Sequence, residues 1–536
     1  MRSPSVITAA TAVFSLSSAT YADSQSPSAT LDAGVIVGTT TSLAPASTTV
    51  NKFLGVPFAA PPKRFSPPTQ PQPWSQPLNT SQWPGACIQQ FPYPELSRNF
   101  TMFLFNNPAP EESEDCLYLN VYAPACPAPG NGRAVMFWIY GGGLQFGYAS
   151  VPYYDGSYFA AYEDVIVVAP NYRTNVFGFP SSPELPLQER NLGFLDQRLA
   201  LDWVQRNIHA FGGDPSKVTI FGESAGAFSI DALLTSFPKN STPPFRGAIL
   251  ESGQISYRGT PYASSIPAWD ALAAALNCTD GQSNLTCVEA ASATTIKSII
   301  EHQALDFNPT YDNRTLVTNP AGARTSGNIA RVPVLSGTNA QEGRVFTVGQ
   351  TNVTAFLETT LGPSAGPEFI ATIEAAYPVG GWEFPTAYDA IAQIMTDLVF
   401  QCGDALFANA TAAVGIPSWR YYFNASFPNT QQFAGGGVYH ASEIPFVFNT
   451  YPRVNSTAQE YALSNYMRST WARFAKDLEA GPGWNAVETG AQFLGGAADL
   501  DLGVLGTDGQ SGVKVVRESA VDGRCAVWRG LLTRGV

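Results

Sequence analysis

The chain has 536 residues, 45% of them hydrophobic and 13% charged, which is the balance of a globular protein with a large core and excludes a disordered one. A formal net charge of −13 and a pI near 4.8 make nucleic acid a poor partner, because an acidic surface repels a phosphate backbone. With 3 histidines and no Cys/His cluster at ligand spacing, neither a metal nor an organic cofactor is expected.

Residues 1–22 read as a secretory signal peptide: Arg2 supplies the positive start, Val6 to Ala19 is apolar and small, and Thr20-Tyr21-Ala22 offers a cleavage site. The stretch is too short and too rich in Ser and Thr to span a bilayer. Nothing later reads as transmembrane, and the C-terminus carries no anchor or retention signal, so stable membrane anchoring is not expected. Residues 23–536 contain no linker and are expected to form one domain of a secreted, extracellular protein; the pattern says nothing about oligomeric state. Asn-x-Ser/Thr sequons at Asn79, Asn99, Asn240, Asn277, Asn284, Asn313, Asn352, Asn409, Asn424 and Asn455 suit a glycoprotein and should lie at its surface. In an oxidising compartment 7 cysteines suggest disulfides with one thiol left over. Cys278 and Cys287 could close a small loop and Cys87 and Cys116 a longer one, while the sequence alone leaves Cys126, Cys402 and Cys525 open.

From Gly34 to Phe58 the residues alternate as in antiparallel strands, and Pro67 to Glu114 is Pro/Asn-rich and irregular. Beyond it come continuous apolar runs: Leu117 to Tyr122, Ala134 to Ile139, Val165 to Ala169, Val218 to Phe221, Gly247 to Leu250 and Val332 to Leu335. Strands buried on both faces read this way, which predicts a large, mostly parallel sheet. Helical spacing predicts helices over Asp196–His209 and Glu460–Leu478, the latter carrying Tyr461, Tyr466, Met467, Trp471 and Phe474. Ala-rich segments from Ser264 to Tyr311 and from Val353 to Ala413 read as helical excursions over one end of the sheet.

Gly222-Glu223-Ser224-Ala225-Gly226 directly follows the run Val218–Phe221 and precedes helix-compatible residues. A serine on a sharp strand-to-helix turn needs tiny residues two positions either side, and it gains the first amides of the helix near its oxygen. This is a nucleophile elbow, with an ordinary Gly-rich βα turn as the bland alternative. Tyr140-Gly141-Gly142-Gly143 follows another buried strand, and its glycines let the backbone approach a substrate. The amides of Gly142, Gly143 and Ala225 are therefore assigned to an oxyanion hole, in which one donor can contribute roughly 3 kcal/mol. A base is found by elimination. His209 lies at a helix end, His302 in a polar helix, and His440 on a Gly-rich loop late in the chain, where the order Ser, acid, His places it. Glu342, on a loop after Val332–Leu335, is the acid that would orient it.

These stretches resemble the type-B carboxylesterase/lipase family, cholinesterase-like α/β-hydrolases. The matching residues include Phe53–Ala59, Glu114–Asn120, Trp138–Gly143, Gly193–Gln197, Phe211–Pro215, the elbow, Glu342-Gly343 and His440–Phe446. The resemblance implies an α/β-hydrolase fold and a Ser224–His440–Glu342 triad hydrolysing small-molecule carboxylic esters through an acyl-enzyme. It also implies disulfides Cys87–Cys116, Cys278–Cys287 and Cys402–Cys525, with Cys126 unpaired. Cholinesterases hold a quaternary ammonium over a Trp in the first disulfide loop. No Trp lies between Cys87 and Cys116 here, so choline selectivity is not expected. Lipases of the family use that loop as an apolar lid. Here Phe100, Met102, Phe103, Leu104 and Phe105 are accompanied by the Asn99 sequon and the acidic run Glu111-Glu112-Ser113-Glu114-Asp115. The balance favours an esterase for soluble or moderately apolar esters. A lipase or sterol esterase is the runner-up, and an inactive binding or adhesion module is the alternative from another class.

Overall fold

The computed structural model describes residues 26–259, 261–279, 283–362, 365–487 and 500–534; the expected signal peptide lies outside them. In chain order the first strands are β1 (Ser28–Thr30), β2 (Val35–Val37), β3 (Thr39–Ser42), β4 (Thr49–Pro57), β5 (Leu78–Asn79), β6 (Tyr118–Pro124) and β7 (Arg133–Ile139). They are followed by β8 (Ile166–Pro170), β9 (Gly213–Glu223), β10 (Gly247–Glu251), β11 (Val334–Asn339), β12 (Ser418–Phe423), β13 (Asp501–Leu505) and β14 (Val513–Arg517). Strands β1, β2 and β5 make a small sheet. The others form one 11-stranded sheet in the order β14-β13-β12-β11-β10-β9-β7-β8-β6-β4-β3. From β8 through β13 in that order neighbours run parallel, and the edges are antiparallel. The run at Leu117–Tyr122 departs from expectation: as β6 it pairs antiparallel with both β4 and β8. It is apolar because it is buried on both faces, and burial carries no information about strand direction.

Helices cover both faces. The helix Ala458–Lys476 starts at a capping box in which Thr457 and Glu460 satisfy each other's backbone N–H. It buries Leu463, Met467, Trp471 and Phe474, whereas Tyr461 faces solvent. The helices Ile266–Ala275, Asn284–Ala290 and Ala293–His302 occupy the first Ala-rich excursion. The second contains Val353–Leu361, Pro367–Ala376, Ala387–Met395 and Cys402–Ala413, with a π-helical turn at Thr396–Gln401. The stretch Pro67–Glu114, read as irregular, contains the helix Glu95–Phe105, a short segment closely flanked by Pro92, Pro94, Asn106, Asn107 and Pro108.

The disulfides are Cys87–Cys116, Cys278–Cys287 and Cys402–Cys525, and Cys126 is a free, exposed thiol. Asn409 corrects the sequon reading. It lies within Cys402–Ala413 at 4% exposure and its amide donates to Glu518, so no glycan fits there in the folded chain. Asn284 is half-buried, and the other sequon asparagines are exposed. No described helix is long and apolar enough to cross a membrane.

Candidate active site

The carboxyl ends of β7, β9 and β11 and the loop after β12 converge on one cavity of about 170 Å3. Ser224 stands between the last residue of β9 and the helix Ala225–Ser236, half-buried, with φ 56° and ψ −119°. A side chain held at positive φ stores about 1–3 kcal/mol of strain, and it persists here because its neighbours are fixed. The glycines show how. A Cβ on Gly226 would lie 1.9 Å from the Ile139 carbonyl oxygen, and one on Gly222 would lie 2.5 Å from it. A Cβ on Gly253 would stand 2.4 Å from the Ser224 carbonyl oxygen. The elbow is thus wedged against the end of β7.

The glycine loop borders the same cavity. Gly142 and Gly143 have φ of 104° and 62°, and a Cβ on Gly142 would meet the Phe146 carbonyl oxygen at 2.2 Å. Neither amide donates to a backbone carbonyl among the described residues. A Cβ on Gly141 would lie 3.0 Å from Ser224 Cβ, so loop and elbow touch.

Glu342 begins the turn Glu342–Val345 beyond β11. Its Oε1 accepts the Asn339 N–H at 2.6 Å, and its Oε2 lies 2.6 Å from His440 Nδ1. Gly343 is required beside it, because a Cβ there would meet the Ala392 carbonyl oxygen at 2.0 Å. Gln341 ties the acid loop to the histidine loop: its N–H donates to the Val438 carbonyl, and its Oε1 accepts the Val438 N–H, each at 3.0 Å. Phe400, from the π-helical turn, and Phe346 stand 4.7 and 5.0 Å from the imidazole centroid. His440 Nε2 lies 2.9 Å from Glu223 Oε1, an ion-pair contact rather than a well-aligned hydrogen bond.

Burial alone would lower the imidazole pKa, yet the carboxylates of Glu223 and Glu342 push it well above its ordinary value. Glu223 is raised by burial, against the pull of His440. Glu443 is raised well above the usual carboxylate range by burial and by the surrounding acids, Glu223 first among them. Sequence reasoning placed Glu443 in a matching stretch without a role, and it passed over Asn339, Phe346 and Phe400. Their signal is spatial: Asn339 reaches both Glu342 and Glu443, which no local pattern announces. The other histidines stay away from the cavity. His209 is exposed at the end of its helix, and the His302 ring lies tilted 4.4 Å from that of Tyr93.

Gly226→Ala should lower Tm markedly, although an Ala in a helix is ordinarily favoured over Gly by about 1 kcal/mol. The added methyl meets main chain, which can give way only by moving β7, a cost of about 1–3 kcal/mol. Thermal denaturation measures it.

A strained, accessible serine on a mostly parallel sheet, with an oriented imidazole close by, is suited to acyl transfer, and the class so defined is a serine hydrolase of the α/β-hydrolase fold. Residues 25–490 match the sequence profile of the Carboxylesterase family. The chain is 34% identical to a cholinesterase of Mus musculus over 469 residues, covering 80% of this chain and 75% of that one. It is 35% identical to the para-nitrobenzyl esterase of Bacillus subtilis (strain 168) over 444 residues, 80% of this chain and 86% of the relative. An acetylcholinesterase of Electrophorus electricus is 33% identical over 492 residues, 79% and 76% of the two chains. The chain belongs to the carboxylesterase family and is a serine carboxylic ester hydrolase.

Proposed function

We propose that Ser224, His440 and Glu342 form the catalytic triad and that hydrolysis runs through an acyl-enzyme. The observation that carries this reading is the His440 imidazole, held at Nδ1 by Glu342 at 2.6 Å in the wall of the cavity that Ser224 shares. Ser224 Oγ attacks the ester carbonyl carbon while His440 Nε2 takes its proton. The carbonyl oxygen becomes an oxyanion facing the amides of Gly142, Gly143 and Ala225. Collapse breaks the bond to the alcohol oxygen, which leaves with the proton from His440. Water then adds to the acyl carbon, giving its proton to His440, and the carboxylic acid departs as Ser224 regains a proton. The domain spans 23–536, and the protein is secreted and glycosylated; the disulfides and the exposed sequons support that location.

The preferred substrates are soluble or moderately apolar esters. Phe105, Phe146, Val151, Tyr154 and Phe346 give the cavity apolar walls. Over it the helix Glu95–Phe105 exposes Leu96 at 83% and Phe103 at 52%. At about 100° per residue Asn99 projects from the same face as these two side chains, so a glycan there blocks deep insertion into lipid. The acidic run adds less than its composition suggests, because Glu112 is paired with Lys297 and Glu114 with Arg64. A series of p-nitrophenyl esters from acetate to palmitate, with and without an emulsified interface, tests this reading. Rates should peak at short chains and ignore the interface; activation by the emulsion would make the protein a lipase, and no turnover of any ester would leave a binding module.

A further inference from the structure

Beneath the catalytic loops a row of side chains crosses the sheet and contains a carboxyl that the mechanism does not use. Glu251 ends β10, wholly buried, and its register partner on the parallel strand β9 is Glu223. Partners on adjacent strands lie about 4.8 Å apart and project from the same face, so two carboxyls stand side by side. On its other flank Glu251 is paired with Gly337 of β11, and Gly337 with Tyr421 of β12. A Cβ on Gly337 would lie 2.3 Å from Tyr421 Cδ1, so the Tyr421 ring lies across the glycine on the Glu251 side. From the helix Ala458–Lys476, Trp471 Nε1 donates to Glu251 Oε1 at 2.9 Å, and its ring stands 5.1 Å from that of Tyr421. Among the described residues neither Glu251 Oε2 nor the Tyr421 hydroxyl has a hydrogen-bond partner.

Among the described residues no Lys or Arg side chain is paired with Glu251. Arg468, on the same helix as Trp471, is held by Glu163. On the helix Ala225–Ser236, also packed on β10, Asp231 is bound to Arg324 and Ser256. Among the described residues the other titratable groups around the row are Tyr421, whose hydroxyl is pushed well above its ordinary value by burial and then by Glu251, together with His440, Glu342 and Glu443. Two adjacent carboxyls buried this deeply do not both ionise readily. His440 Nε2, 2.9 Å from Glu223, favours the anion there, while Glu251 has only an indole N–H. We propose that Glu251 is a positioning residue held as a neutral carboxylic acid, which keeps the anion facing His440 on Glu223, and that its ionisation closes ester hydrolysis on the alkaline side. A second anion one strand from Glu223 favours the imidazolium, which cannot accept the Ser224 proton, and disfavours the oxyanion. Burial pushes Glu251 up to about 8, against the Trp471 hydrogen bond and with Glu223 adding to the rise.

The proposal rests on His440 being the base, and Glu251→Gln tests it apart from that reading. The ratio of kcat/KM for Glu251→Gln over wild type should rise several-fold as pH passes about 8. Stability supplies a second readout. A carboxyl whose folded pKa is raised destabilises the fold progressively as pH climbs from the unfolded pKa, about 4.3, to the folded one, and no further beyond it. The Tm of Glu251→Gln relative to wild type should therefore grow between those limits and then level off. Should Glu251→Gln fail to fold, Trp471→Phe removes the hydrogen bond that favours the ionised form, and it should move the alkaline limb upward. A ratio flat with pH, together with a Tm difference independent of pH, would overturn the proposal. If Ser224→Ala kept its activity, the triad reading would fall, while the Tm difference would still report the proton on Glu251.

Discussion

Ser224→Ala should lower kcat by roughly 10^4- to 10^6-fold and leave a folded protein of unchanged Tm. On the proposed mechanism removing Oγ abolishes the acyl-enzyme, so a burst of p-nitrophenol before steady state should vanish with turnover. The fold is indifferent because the strain at φ 56° belongs to the backbone, and alanine carries the same Cβ. The residual rate should still exceed that in water, since the glycine amides and the cavity are intact. Hydrolysis at the wild-type rate would mean that another group is the nucleophile.

Glu342→Gln should cost about 10^3- to 10^4-fold in kcat with little change in KM, though the side chain keeps its shape. Both carboxylate oxygens accept: Oε1 from the Asn339 N–H and Oε2 from His440 Nδ1. A glutamine has one acceptor oxygen. If it faces Asn339, its NH2 faces His440 Nδ1, and the imidazole must carry its proton on Nε2, the nitrogen needed to receive one from Ser224. If it is turned over, two donors meet at Asn339. Either orientation also removes the charge that stabilises the imidazolium. Glu342→Asp, which keeps the charge but shortens the reach, should fall between the two. Equal activity in wild type and Glu342→Gln would remove Glu342 from the mechanism.

The elbow was legible because its constraint is local. Gly222 and Gly226 are spaced by the turn itself, and the apolar runs on either side announce strand and helix. The buried strands were legible for the same reason, since every residue of β7, β8 and β10 is covered on both faces. The direction of β6 was not, nor was the helix Glu95–Phe105, whose apolar residues are assigned to cavity, rim and solvent by what packs around them. Asn409 fulfils a glycosylation pattern that its burial cancels.

By itself the sequence determined the chemistry on offer: one serine with the right neighbours, one histidine in the right place out of 3, and an acid after a buried strand. Tertiary structure decided how those groups meet. Glu342 and His440 are 98 residues apart and share a hydrogen bond because the loops after β11 and β12 lie side by side. The pairing of Glu223 with Glu251 depends on the register between two strands, and their unequal claims on a proton depend on an imidazole that faces Glu223 and an indole that faces Glu251. Residue types and local spacing are written along the chain; register, burial and the electric field they create exist only once it has folded.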